Sequence, residues 1–473
     1  MFKFTKFDIP ALIIVACFFI PFFSMPPFVD DVARYSYGYI GLASQGRFLT
    51  ELYYILLNSA GKLITPDIYQ LNIVISFILM FFSVRYFCNR HFESSIIAKT
   101  TLICVMICSP FYLENMSYHV DIIGMSASYS FAILASLTYN FKHSSTVRLI
   151  LLLVASFFYQ TSFAVFAGLI VAQCLGSSLN KKNQKENFSY LLKSIIIFSI
   201  TFAIVQGCTS LFSTDKYVDN HTTLVHLNET GWHSFLFNIK TIFLLLTSLS
   251  NVQLVIIGIA ILVSVSLCVF KGIQSILLKR YFDFFIFLIA IPVSFSLLFM
   301  PYALFENAII SARVLMSFPV FITVILWPLF YIKTSYVKGV VISFAAFYLF
   351  LTVSLSSIYV NAFQYESQYK IRKLNSIVDF LENDSTGNSA AKVNFINEPR
   401  LPHYLSQIYM DYPILLEIVK FKLTSSWFMN AYFWYAGINA EAVKEPPPQI
   451  NPVKENRYYT IYKNNGIYIV RFK

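Results

Sequence analysis

The chain has 473 residues, of which 57% are hydrophobic and only 12% charged, with 49 Phe and 31 Tyr. A soluble domain carries about twice that charged fraction, and apolar stretches long enough to cross a bilayer recur along the chain, so a soluble globular protein is excluded. The net charge of +11 invites a nucleic-acid reading, but Lys and Arg cluster in short segments between apolar stretches, where they mark cytoplasmic loops; membrane lipid, and no nucleic acid, is the implied partner.

Lys3 and Lys6 precede the first apolar run. That run is too long for a secretion signal and lacks a small-x-small cleavage site. It predicts an uncleaved span from about Ile9 to Phe28 with its amino end in the cytoplasm. Residues 29–66 then form a first outer loop whose aromatic and apolar pattern predicts a helix lying at the membrane interface. A span from Ile68 to Phe87 returns inward to Arg85, Arg90 and Lys99. Ile97–Leu113 leads out to a short loop with Glu114, Tyr118, His119 and Asp121. Ile122–Tyr139 leads back to Lys142, His143 and Arg148.

The next apolar stretch is bracketed by basic residues at both ends, Arg148 and Lys181–Lys182. It is too long for one span and too short for two. It predicts a pair of short helices meeting near Tyr159 and Gln160, an arrangement that lines a cavity when it lies at membrane depth. Further spans are expected at about Ser194–Leu211, Val252–Phe270, Phe284–Met300, Val314–Ile332 and Val340–Val360. The outer loop STDKYVDNHTTLVHLNETGWHS and an interfacial helix, FLFNIKTIFLLLTSL, precede the second of these. Lys271, Lys279, Arg280, Lys333 and Lys338 fall on the inner side throughout.

From Asn361 the chain turns polar and carries a Pro446–Pro448 run. NAFQYESQYKIRKLNSIVDFLEND predicts a helix, KVNFIN a strand, PHYLSQIYMDYPILLEIVKFKL one or two helices, and RYYTIYKNNGIYIVRF a hairpin with an Asn-Gly turn. The fold class is therefore mostly α: a polytopic membrane helix bundle over 1–360, with about nine full spans plus the short pair, and a small extracytoplasmic α/β domain over 361–473. The seven cysteines lie in or near apolar spans without a Cys-x-x-Cys, so neither a disulfide framework nor a zinc site is implied.

The polar residues with chemical potential collect on the outer side. Asp30 and Asp31 follow the first span directly. An acid after a proline pair makes a good helix N-cap, which accounts for one of them. Adjacent helical residues point about 100° apart, so both cannot aim at one atom; the assignment adopted is Asp30 as cap and Asp31 as general base. Arg34 stands one turn after Asp31, in register to pair with it or to face an anionic substrate. Arg47 and Arg313 sit at the outer boundary, suited to holding a lipid phosphate or to snorkelling. Glu114, Tyr118, His119, Asp121, Tyr159 and Gln160 are candidates for hydrogen bonds to a sugar. No cluster has metal-ligand spacing. There is no P-loop, Gly-x-Ser-x-Gly or Rossmann fingerprint, so no cofactor is expected. The run SSWFMNAYFWYAG fits either a glycan-reading surface or ordinary core packing.

The segment FVDDVARYSYGYIGLASQGRFLTELYYILL resembles the signature of the type II family of serotype-converting, phage-carried O-antigen glucosyltransferases. The matching positions are Asp30, Asp31, Arg34, Gly46, Arg47, Leu49 and Asp67, with Phe48 where that family has proline. SYHVD (Ser117–Asp121), FFYQTSF and SARVL resemble its later elements. The resemblance implies a GT-C-like fold in the bacterial inner membrane with a periplasmic C-terminal domain. It implies an acid of the first outer loop as base, polyprenyl-phosphate-linked glucose as donor and a lipid-linked O-antigen sugar as acceptor. Loss of a sugar from phosphate passes through an oxocarbenium-like transition state, and a base acting on the acceptor hydroxyl makes the reaction inverting. The alternatives on the same frame are an O-antigen polymerase or a transferase of another lipid-linked sugar. A flippase would want ionisable residues at midplane depth and repeated halves, which this chain does not show.

Overall fold

The computed structural model describes residues 8–38, 41–57, 66–92, 94–139, 142–212, 223–226, 228–332, 334–384, 390–419, 422–445 and 451–473. Lys3, Lys6, Lys333, most of the outer loop after Leu211 and the Pro446–Pro448 run lie outside them. The fold is mostly helical. Five helices are long and apolar enough to cross a membrane, namely α4 (Tyr69–His91), α9 (Ser162–Leu179), α10 (Gln184–Phe212), α12 (Asn251–Leu277) and α15 (Ser335–Asp384). The first segment adds a sixth if α1 (Asp8–Phe19), its 3-10 extension to Ser24 and α2 (Val29–Tyr37) are counted as one bent unit with a 53° break. The chain is a membrane protein.

Several stretches predicted as full spans form shorter helices: α5 (Ile96–Ile107), α7 (Ile122–Ser136), α13 (Tyr281–Ser296) and α14 (Phe318–Phe330). The reason is visible at α5, where Ser109-Pro110 follows the last helical residue and a residue before proline disfavours the α conformation. The chain re-forms there as a separate short helix, α6 (Tyr112–Ser117). The predicted break at Tyr159–Gln160 is present between α8 (Ser144–Phe158) and α9, although α9, at 18 residues, is itself of spanning length. The remaining helices before α15 are α3 (Phe48–Leu57) and α11 (Glu229–Thr247).

α14 is buried along its whole length and α7 nearly so. They form the bundle's centre, with α4, α5, α8 and α9 around them. α10, α12 and α15 turn wide apolar faces outward, as expected of helices whose outer side meets lipid. Two of the cations that the sequence reading assigns to the inner side, Arg85 and Arg148, are buried among the helices. Arg85 makes a bidentate pair with Asp8 at 2.7 and 2.8 Å. Arg148 donates to the Ala135 carbonyl at 2.9 Å and to Ser194 Oγ at 2.6 Å.

α15 is one unbroken helix of 50 residues. It carries the chain out of the bundle and, by Leu374, Ile377 and Leu381, into the core of a five-stranded sheet. The strand order is β2 (Ala440–Ala442), β1 (Ala391–Ile396), β5 (Ile467–Phe472), β4 (Tyr459–Asn464), β3 (Lys454–Glu455). β1 is parallel to both neighbours, and the β4–β5 hairpin is antiparallel. Its turn is Asn465-Gly466 with φ of 45° and 78°, the primed geometry that suits strand twist. Between β1 and β2 lie α16 (His403–Asp411), α17 (Ile414–Ile418) and α18 (Ser426–Ala436).

α2 does not lie free at the membrane interface as its pattern suggested. Val32 and Ala33 pack into the core of the C-terminal domain with Phe428 and Ala431 of α18. Ser36 Oγ donates to the Ala431 carbonyl at 2.8 Å. The apolar face meets protein, and residues Asp31–Ser36 are buried.

The Asp8–Arg85 pair generates a stability prediction. Asp8→Leu removes the counter-charge of a buried guanidinium and costs about 3–5 kcal/mol, whereas adding Arg85→Met restores most of the loss. Thermal unfolding of the detergent-solubilised protein measures both. Equal unfolding temperatures for wild type and the single variant contradict it.

Candidate active site

Asp31 is fully buried. α2 begins at Val29, so Asp31 is its third residue, and its Oδ2 accepts the Phe28 N–H at 3.1 Å in a capping box. The same carboxylate accepts the N–H groups of His119 (2.9 Å) and Val120 (3.0 Å) from the loop between α6 and α7. Burial pushes its pKa up to about 6, against the pull of His119, Arg34 and these backbone donors. The helix cap expected at Asp30 is provided by Asp31, whose oxygens are committed to the backbone.

The loop that Asp31 grips is held from other sides too. The His119 carbonyl accepts from Asn72 Nδ2 at 2.9 Å, and the Val120 carbonyl accepts from the Tyr54 hydroxyl. Tyr69 stacks on the His119 ring with centroids 3.5 Å apart. His119 Nδ1 lies 3.3 Å from the Tyr35 hydroxyl and 3.5 Å from Asp67 Oδ1. Its Nε2 is buried and finds no partner among the described residues.

Three arginines gather around this loop. Asp121, buried just before α7, lies 3.0 Å from Arg34 and 3.5 Å from Arg47. Arg34 therefore pairs with Asp121 and not with Asp31 one turn away. Burial pushes the Asp121 carboxyl up, but Arg34, Arg47 and Arg313 outweigh it and hold it below the ordinary carboxylate range. The Arg47 guanidinium lies over the Tyr159 ring at 4.6 Å, a cation–π contact. Gly46, at φ 75°, lets Gln160 and Thr209 approach the backbone where a Cβ would collide. This brings the tip of the α8–α9 pair to Arg47.

Arg313 is set by α6. Its N–H donates to Glu114 Oε2 at 2.9 Å, and its carbonyl accepts from Asn115 Nδ2 at 3.2 Å. Its guanidinium lies 4.9 Å over the Tyr118 ring and 3.9 Å from Asp30 Oδ2. Asp30 is the more open acid, its side chain 36% exposed. It faces a cleft of about 450 Å³ lined by Tyr118 and Arg313 on one side and by Glu417, Lys422, Ser425 and Phe428 of the C-terminal domain on the other. An acid, a cation and an aromatic ring thus share a solvent-reachable cleft.

Residues 18–324 match the model of the glucosyl transferase GtrII family. The chain belongs to the GtrII glucosyl transferase family. It is also 22% identical over 228 residues to an uncharacterized 55.3 kDa protein in the gtrB 5′ region of Salmonella phage P22, over 47% of this chain and 46% of that one. The chain spans about half the length of this curated relative. No solved structure matches it.

The GtrII match contains every candidate residue, from Asp30 to Arg313, and the structure brings these together from five separate segments. Glu114 fixes the Arg313 backbone, a contact different from the expected sugar contact, and Asp121 gathers cations. Sequence reasoning missed Asn115, Asn72 and Tyr54, which touch only backbone or other protein side chains. Their signal is weak: a polar residue beside an apolar run whose partner lies far along the chain. Among the described residues no group of three His, Cys, Asp or Glu is placed to hold a metal ion.

Asp31 carries a pH-dependent share of stability. Its folded pKa of about 6 lies above the ordinary value of 3.8, so the folded form binds the proton more tightly than the unfolded chain. That contribution is full below about pH 4 and is lost as pH rises through 6. Compared with Asp31→Asn, the wild type therefore loses relative stability between about pH 4 and 6 and runs parallel above 7. Unfolding temperatures of both proteins across that range test this.

Proposed function

We propose that the chain transfers glucose from a polyprenyl-phosphate-linked donor to a sugar of an O-antigen repeat on the periplasmic face of the inner membrane, with inversion at the anomeric carbon. The observation that carries this reading is the Asp30–Arg313 pair at the cleft, 3.9 Å apart, with Asp31 occupied elsewhere. Asp30 takes the proton from the attacking acceptor hydroxyl. The hydroxyl oxygen bonds to the anomeric carbon as the carbon–oxygen bond to phosphate breaks. The phosphate departs on its lipid, and Arg313 and Arg47 stabilise the charge that develops on it. Because Asp30 acts as base and not as nucleophile, one displacement inverts the centre.

A second feature supports a lipid-borne donor. An apolar groove of about 380 Å³ between α9, α10 and α13 runs along the bundle from Cys174 and Leu191 to Phe166 and Leu297. At that end Ser317 Oγ donates to the Leu297 carbonyl at 3.4 Å, four residues beyond Arg313. The end of the groove at Leu297 thus touches Ser317, in the segment that carries Arg313.

Separate Asp30→Asn and Asp31→Asn variants test the assignment. Asp30→Asn is expected to lower glucose transfer in membranes by a factor of about 10²–10⁴ while the protein unfolds at the wild-type temperature. Asp31→Asn acts chiefly on stability. Wild-type transfer rates in Asp30→Asn refute the assignment of the base.

A further inference from the structure

The aromatic run of α18 divides between two environments. Phe428, Met429 and Phe433 are buried in the core of the C-terminal domain. Trp434 and Tyr435 are instead 55% and 49% exposed, and Tyr37, at the end of α2, is 50% exposed. Trp434 lies against Tyr37, with ring centroids 6.2 Å apart at 48°, and Tyr435 against the buried Tyr35 at 6.4 Å and 34°.

These rings are tied to the cleft by geometry. α2 and α18 pack side by side in the same direction: Asp30 and Phe428 line the cleft near the start of both, Ser36 bonds Ala431, and Tyr37 meets Trp434 at the end of both. Seven residues separate Asp30 from Tyr37, about 10 Å of helix. A chain molecule whose reacting hydroxyl sits at Asp30 reaches the aromatic pair within the span of a short oligosaccharide.

The surroundings discriminate between a bilayer and a polar ligand. α3, joined to α2 through Tyr54 and Tyr35, exposes Leu52, Ile55, Leu56 and Leu57, an aliphatic surface of the kind that suits lipid. After Tyr435 the exposed residues are Ala436, Gly437, Asn439 and Glu441, which offer no aliphatic surface for acyl chains. A pyranose ring has an apolar face of C–H bonds edged by hydroxyls. It stacks on the electron-rich face of Trp or Tyr while its hydroxyls remain in water.

We infer that Trp434 and Tyr37 form an acceptor subsite that stacks a sugar ring of the glycan beyond the residue receiving glucose. The inference rests on the acceptor reading given above and assigns that glycan a place on the C-terminal domain. It predicts that the enzyme grips a repeat longer than the single sugar it modifies.

The test uses the full-length protein in nanodiscs, with delipidated O-antigen polysaccharide of the bacterium carrying the chain as the probe. Titration is expected to change tryptophan fluorescence in the wild type and in Trp232→Ala, and to leave Trp434→Ala silent. In transfer assays Trp434→Ala raises the acceptor KM about tenfold, moves the donor KM less than twofold, and is partly rescued by Trp434→Phe. An acceptor KM within twofold of wild type for the Tyr37→Ala, Trp434→Ala double variant overturns the inference. So does quenching of Trp434 by brominated acyl chains, which assigns the pair to the membrane interface. Loss of transfer in Asp30→Asn with no effect at Trp434 leaves the proposed reaction standing and removes the subsite. Saccharide binding at Trp434 without glucose transfer does the reverse.

Discussion

The arrangement of the outer face depends on how the buried loop between α6 and α7 satisfies its backbone. Residues 119 and 120 belong to no helix or strand, yet they are buried. Backbone polar groups in such a place need partners at a cost of roughly 1–3 kcal/mol each when none is found. Asp31 accepts both N–H groups, while Asn72 and Tyr54 donate to the two carbonyls. Because the donors and acceptors come from α2, α3 and α4, satisfying the loop fixes the relative register of three helices. Asp30 is then placed by its neighbour, a carboxylate that holds three backbone N–H groups.

The charges follow from the same constraint. Asp121 closes the loop and draws in Arg34 and Arg47, while Arg313 stands beside Asp30. Arg34 is the most buried of them, with its side chain 5% exposed, while Arg47 and Arg313 retain 16% and 18%. In a partly desolvated pocket a guanidinium attracts an anion more strongly than in water. It also does so without reorganising when negative charge develops on a leaving group. Aromatic rings under Arg47 and Arg313 orient the cations without neutralising them. A cluster held by acids alone would have spent that charge on the protein itself.

Much of this was legible in the residues. Apolar length, the break at Tyr159–Gln160, the Asn-Gly hairpin and the grouping of acids and arginines are local properties, and each has a local physical cause. The roles within the group were not local. Whether Asp30 or Asp31 caps α2 depends on a one-residue shift in where the helix starts, since 100° of rotation separates the two side chains. With Val29 as first helical residue, the capping-box position falls on Asp31, and the sequence offers no Ser or Thr at Phe28 to mark it. The partners of Arg85 and Arg148 were not local either: Asp8 and Ser194, far along the chain, bind these two cations.

The cleft is built from two parts of the chain that answer to different demands. Its charged side, Asp30 and Arg313, lies within the 18–324 family match, and its far side, Glu417, Lys422, Ser425 and Phe428, lies outside it. The far side is not loosely attached. The 50-residue α15 runs from the bundle into the sheet domain, and Lys370 on it bridges Glu366 at 2.8 Å and Glu398 at 3.0 Å. Glu398 in turn accepts from the Thr424 N–H and hydroxyl at 2.8 Å. The buried ion network thus fixes the segment that ends at the cleft wall. Glu417 and Lys422 there can change in size and polarity without disturbing the capping of α2 or the arginine cluster, because no contact of Asp31 or Asp121 described above passes through them, whereas Phe428 packs with Val32 and Ala33 of α2. A rigid wall with replaceable side chains, opposite an acid and a cation held by backbone bonds, separates what the cleft admits from how its charged groups are placed.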